Sequence, residues 1–185
     1  MRFLKRLVIT LAVLAALFFF IGLPYMQSQT KKYSPEQTAT YDFKGGTITV
    51  NYSSPSKKNR IIFGELVPYG QVWRTGANEP TTFTTTNQIK IIDKLLPAGT
   101  YSLWTIPNKE NWKVIFNKEV PDWGVTLLSG GSETTREPEE DVIVVEVPIK
   151  EQVKPIENFT IAFEEKDQLY LDLLWDQVKV QVPIN

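Results

Sequence analysis

From Thr40 onward, apolar and polar residues alternate with period two. Ile48, Val50 and Tyr52 interleave with Thr47, Thr49 and Asn51, and Trp112, Val114 and Phe116 with Lys113, Ile115 and Asn117. Tyr101 and Leu103 face opposite to Ser102, Trp104 and Ile106. Phe159, Ile161 and Phe163 oppose Thr160 and Ala162. Leu169, Leu171, Leu173 and Trp175 oppose Tyr170, Asp172 and Asp176, and Val178, Val180 and Val182 oppose Lys179 and Gln181. Successive side chains of a strand point to opposite faces, so most of these sets lay apolar groups on one side of a sheet. The run Val142 to Val147 is more continuously apolar, the pattern of a strand covered on both faces.

Turn chemistry separates the runs. Gly45-Gly46 can supply the positive φ of a tight hairpin. Pro97-Ala98-Gly99 places a fixed φ before a permissive glycine. Pro107-Asn108 begins the turn between the Tyr101 and Trp112 strands, and Asp176-Gln177 links the last two strands. Strands at this spacing predict an all-β fold, an antiparallel β-sandwich or barrel-like domain.

The N-terminal segment follows another pattern. Arg2, Lys5 and Arg6 precede an apolar run from Leu7 to Leu23, broken by Thr10 and Gly22. The run approaches the ~20 residues that span a bilayer, and no Ala-x-Ala-like site follows Pro24. Residues 1–26 are therefore expected to form one transmembrane helix, an uncleaved signal anchor in preference to a cleaved signal peptide. The cationic end stays in the cytoplasm, which puts the rest on the extracytoplasmic side, in the periplasm or at the cell exterior. Residues 27–40 are polar and expected as a tether, and residues 41–185 as one β-rich domain large enough for a single core.

Composition narrows the chemistry. A net charge of −1 gives no hint of a basic face, so no nucleic-acid partner is expected. The chain has no cysteine and no histidine. That removes disulfides, a lipid anchor on cysteine, thiol catalysis, Ser-His-Asp arrangements and the commonest zinc ligands. Catalysis would rest on carboxylates, Lys, Tyr, Ser or Thr. No cofactor and no metal is expected. The segment from Ser129 to Asp141 carries Glu133, Arg136, Glu137, Glu139 and Glu140 and is expected as a mobile, solvated acidic loop. A hard-cation site is its sharper alternative, although the spacing matches no familiar calcium loop. The triplets Asn51-Tyr52-Ser53 and Asn158-Phe159-Thr160 lie in expected strands and read as chance.

One loop concentrates polar and aromatic groups. Between Val67 and Pro80 it crowds Tyr69, Trp73, Arg74, Thr75, Asn78 and Glu79 around Gly70 and Gly76. As a ligand-binding site, Arg74 would offer a planar donor fork to an acidic group, and Trp73 and Tyr69 flat faces to a sugar or aromatic group. Asn78 and Glu79 would add directional hydrogen bonds. As a structural brace, Arg74 would pair with Glu79, Asn78 would bond loop backbone, and Trp73 would plug the end of the core. As an enzyme, Glu79 would form an acid–base pair with Asp93 or Asp172, as in a hydrolase acting on envelope glycans. No catalytic residue can be assigned.

The stretch Tyr52 to Lys118 carries long ordered motifs. They run Pro55-Ser56, Ile62-Phe63-Gly64, Leu66-Val67-Pro68-Tyr69-Gly70 and Val72-Trp73-Arg74-Thr75-Gly76-Ala77-Asn78-Glu79. Leu96-Pro97-Ala98-Gly99-Thr100-Tyr101-Ser102-Leu103, Thr105-Ile106-Pro107 and Val114-Ile115-Phe116-Asn117-Lys118 follow. In these motifs the chain resembles a bacterial family, domain of unknown function 2911, with weaker similarity continuing toward Val182-Pro183-Ile184. The Ser129–Asp141 stretch looks longer and more acidic than the family's usual link. The resemblance implies an exported or envelope protein and no particular activity. The expectation is thus a membrane-anchored extracytoplasmic β domain that binds a ligand or serves as a scaffold. Its partners would be the membrane and an envelope glycan, an acidic small molecule or a protein.

Overall fold

The computed structural model describes residues 2–126, 129 and 133–185, which fall into an N-terminal helical unit and a β unit, Ser34–Asn185. The helix runs from Arg2 to Tyr33 and is long and apolar enough to cross a membrane, as an anchor or a signal sequence is. At 32 residues it measures about 48 Å, against an apolar bilayer core of about 30 Å. Phe18–Gly22 forms a widened turn in which the Leu23 amide donates to the Phe18 carbonyl. Pro24 explains it: proline lacks an N–H, and its ring collides with the carbonyl four residues back unless the turn opens. Gln27–Tyr33, expected as tether, continues the helix, since Gln and Lys favour it.

Among the described residues nine strands make the β unit, all paired antiparallel. They are β1 (Glu36–Phe43), β2 (Gly46–Ser53), β3 (Thr81–Thr85), β4 (Ile89–Ile91), β5 (Lys94–Leu96), β6 (Gly99–Ile106), β7 (Asn111–Asn117), β8 (Asp141–Glu165) and β9 (Leu169–Ile184). Their order in the sheet is β1-β2-β3-β6-β7-β8-β9-β4-β5. The first strand takes up Glu36–Thr40 from the expected tether. Polar residues suit it because β1 is an edge strand, paired on β2 alone. Lys44-Gly45 closes that hairpin, with Gly45 at φ 98°.

β8 turns this sheet around one core. Its first part, Asp141–Pro148, pairs with β7, and Ile149–Glu151, Ile156 and Thr160–Glu165 pair with β9, with a register shift on each side of Ile156. The far end of β8 then meets the opposite edge of the sheet. Ser54 donates to the Phe159 carbonyl at 2.7 Å, the Phe159 amide to the Pro55 carbonyl at 2.9 Å, and the Tyr41 hydroxyl to Glu165 at 2.9 Å. The result is an antiparallel all-β domain with barrel-like closure. Its core includes Val50, Phe83, Leu103, Val114, Phe116, Ile161, Leu171, Leu173 and Val182, with Phe163 partly buried against it.

Three features differ from the sequence expectation. Asp176-Gln177 does not join two strands: β9 runs unbroken through it and keeps pairing with β8. Asp176 takes φ 52°, a left-handed conformation that Asp tolerates, and bends the strand instead of ending it. Lys57 holds its carboxylate. Val142 to Val147 is covered on one face, with Val142 and Val144 exposed. β6 is buried on both faces, with Ser102 and Trp104 as inaccessible as Leu103. Ser102 donates to the Glu119 carbonyl at 2.6 Å and accepts from the Trp104 indole at 2.7 Å, so the chain after β7 passes over that face. The described part of the acidic segment is tied to the fold as well. Arg136 grips Asp141 with two hydrogen bonds, and Asn117 donates to the Glu137 carbonyl at 2.7 Å. Gly130, Gly131 and Ser132, also in that segment, lie outside the described residues. Among the described residues no group of three Asp or Glu is placed to hold a metal ion.

Candidate functional site

Between β2 and β3 the chain leaves the sheet at Ser54 and returns at Thr81. The excursion is pinned from within. Trp73 exchanges backbone hydrogen bonds with Thr105 of β6 at 2.7 and 2.9 Å, and the Gly70 amide reaches the Pro107 carbonyl at 2.8 Å. The Trp73 ring stacks on Trp175 at 17° and 5.9 Å and meets Phe159, Trp112 and Phe63 edge-on at 5.0, 6.0 and 6.3 Å. Its indole N–H donates to the Gly76 carbonyl at 3.0 Å. Trp73 is therefore the plug of the core, and its faces are occupied by protein.

Past Trp73 the backbone makes a tight crossing. Thr75, Gly76 and Asn78 have φ of 55°, 150° and 59°. A Cβ on Gly76 would stand 2.9 Å from the Ser53 carbonyl oxygen, so residue type is dictated there by space as well as by angle. Buried hydrogen bonds hold the other two. The Thr81 hydroxyl donates to the Thr75 carbonyl at 2.6 Å, and the Asn78 amide reaches the Ser34 carbonyl at 3.3 Å and the Ser53 hydroxyl at 3.4 Å. Non-glycine residues held at positive φ cost ~1–3 kcal/mol each and persist where surrounding contacts over-determine them.

Arg74 lies between these two constraints. Its stem packs under Gly124, where any Cβ would collide with the Arg74 Cδ. Its guanidinium makes no ion pair and no hydrogen bond among the described residues, and its Nε is fully buried. Burial alone lowers its pKa; no carboxylate counters that shift. The expected Arg74–Glu79 pair does not form. Residues that point in succession around a twisted crossing diverge, and Glu79 lines another groove, of about 250 Å³, with Glu36, Tyr52 and Thr82. The residues outside the description are Met, Leu, Gly and Ser, so none of them carries a carboxylate for Arg74.

Arg74 and Trp73 line a cleft of about 230 Å³. Leu66, Pro68 and Val72, from the same loop, line it as well. Val125 and Thr134, a bridged pair in the segment after β7, complete the described lining. Of the five candidate binding residues, then, Trp73 and Arg74 share this cleft. Asn78 is consumed in loop hydrogen bonds, Glu79 belongs to the second groove, and Tyr69 lies partly exposed with its ring edge over Gly64. Neither Asp93 nor Asp172 lines either space. Asp93 is exposed beside the β4–β5 turn, and Asp172 is engaged by Lys179 at 2.6 Å and Gln181 at 2.8 Å. Thr134, Val125 and Gly124 were not legible as site residues, because they approach Arg74 only through tertiary structure.

The fold and the site define a small antiparallel β domain with an apolar N-terminal helix and a cleft lined by an arginine that has no partner among the described residues. The family model described as a protein of unknown function, DUF2911, matches residues 34–184, and the chain belongs to that family. No curated protein and no solved structure matches it.

Proposed function

We propose that the protein is a membrane-anchored binding domain, displayed on the extracytoplasmic side, that takes a ligand in the Arg74 cleft. One observation carries this: a largely buried guanidinium with no anion. Taking a charge out of water is costly unless it is paired, and a protein that keeps one unpaired holds it ready for a partner. The tight turns that fix the Arg74 backbone supply the rigidity that recognition needs. Sidedness is supported by Arg2, Lys5 and Arg6 before the apolar run, against Lys31 and Lys32 at its far end.

The test is a set of thermal melts of the full chain in lipid nanodiscs, with peptidoglycan fragments, neutral glycans and acidic metabolites added in turn. A ligand that prefers the native state raises its melting temperature. Stabilisation of wild type that Arg74→Gln abolishes is the expected outcome. No response to any of the ligands, with a melting loss in Arg74→Gln, would instead assign Arg74 to the scaffold.

A further inference from the structure

The chemistry of the cleft narrows the ligand. Arg74 is the one ionisable residue among the described residues that line it, so it can neutralise a single negative charge. A dianionic phosphate normally gathers several cationic or amide donors, whereas a carboxylate matches one planar guanidinium edge to edge. The walls add a second restriction. Leu66, Pro68, Val72 and Val125 present aliphatic groups, while Gln71 and Thr134 are the other polar residues among the described lining. Trp73, whose ring is packed among Trp175, Phe159, Trp112 and Phe63, has no free face for a sugar. The volume, about 230 Å³, falls below the ~300–1,000 Å³ of whole-ligand pockets and suits a small acid or one end of a longer molecule.

Resting on the reading of the cleft as a ligand site, we propose that it recognises a short aliphatic monocarboxylate. The carboxylate lies on the Arg74 guanidinium and the alkyl group on the Leu66, Pro68, Val72 and Val125 wall. Two sources share this chemistry: a free small acid, and the C-terminal carboxylate of a peptide ending in a small aliphatic residue.

The experiment titrates the full chain in nanodiscs, following tryptophan fluorescence and the melting temperature. The probes are butyrate, N-acetyl-alanyl-alanine, their amides, methyl phosphate and a neutral disaccharide. The acids should bind at least ~10-fold more tightly than their amides, because the amide loses a charge-assisted pair. Arg74→Gln should erase that preference. Tighter binding of the peptide than of butyrate would assign the C-terminal source, and the reverse the free acid. Equal binding of acid and amide, or an unchanged preference in Arg74→Gln, overturns the proposal. Response to methyl phosphate or the disaccharide alone overturns the carboxylate assignment and leaves the cleft as a ligand site. Silence toward every probe and toward the wider ligand set removes both. The acid-against-amide comparison uses wild type, so it stands whether or not Arg74→Gln folds.

Discussion

At Arg74 stability and the proposed recognition pull in opposite directions. An uncompensated buried charge weakens the ligand-free fold, and the same charge is what an anion would find. Arg74→Met keeps the stem that packs under Gly124 and removes the charge. It should raise the stability of the ligand-free protein by about 1–2 kcal/mol in chemical denaturation, while abolishing any response to acids. A loss of stability in that variant would mean that the guanidinium has a structural partner. Gly76 makes the opposite case. Gly76→Ala should cost about 1–3 kcal/mol, because the methyl meets the Ser53 carbonyl oxygen at 2.9 Å in a left-handed backbone. A neutral effect would show that the crossing relaxes.

At the scale of elements, the β8–β9 hairpin carries the most distinctive electrostatics. Across the bend at Asp176, Lys179 bonds both Asp172 at 2.6 Å and Glu164 at 2.9 Å, and Gln181 bonds the same two carboxylates at 2.8 Å. Burial raises the Asp172 pKa despite these partners. Glu164 is at the rim, and hydrogen bonds from Lys179 and then Lys166 draw it down to about 2 from 4.5. A carboxylate whose folded pKa is depressed stabilises above its unfolded pKa and loses that contribution as pH falls through the folded value. The melting deficit of Glu164→Gln relative to wild type should therefore be full above pH 4.5 and shrink as pH falls toward about 2. A deficit independent of pH would show that Glu164 acts through shape instead of charge. The same hairpin supplies the core face, and Leu171, with no exposed surface, should cost ~2–5 kcal/mol when truncated to Ala.

For the whole molecule, the question is where the β domain stands relative to the membrane. If the helix is an anchor with its cationic end inside, protease added to spheroplasts should degrade the β domain and spare only a helix-sized membrane fragment. Protection of the domain would reverse the topology. N-terminal sequencing of the mature protein should begin at Met1, whereas a start beyond Met26 would identify a cleaved signal.

Local chemistry settled much of this in advance. Period-two alternation is a property of neighbouring residues, so the strands around Val50, Val114, Ile161, Leu171 and Val182 and their buried faces could be read directly. Gly45, Pro97 and Pro107 likewise mark real turns, because each acts on its own backbone angles. The apolar N-terminal run and the family motifs were also plain in the linear chain. What only the tertiary structure decided depends on residues distant in sequence. Asp176 signals a turn, but pairing with β8 on its flank keeps β9 continuous and converts the signal into a bend. Val142 and Val144 are apolar enough for a covered face, yet both stay partly exposed, while Trp104 is covered by chain arriving after β7. Arg74 and Glu79, near neighbours in the loop, are sent into different grooves by left-handed backbone at Thr75 and Asn78. The charge on Arg74 was written in the sequence. Its lack of a partner was set by the path of the chain, because an ion pair needs two groups within a few ångströms and spacing along the chain does not measure that distance.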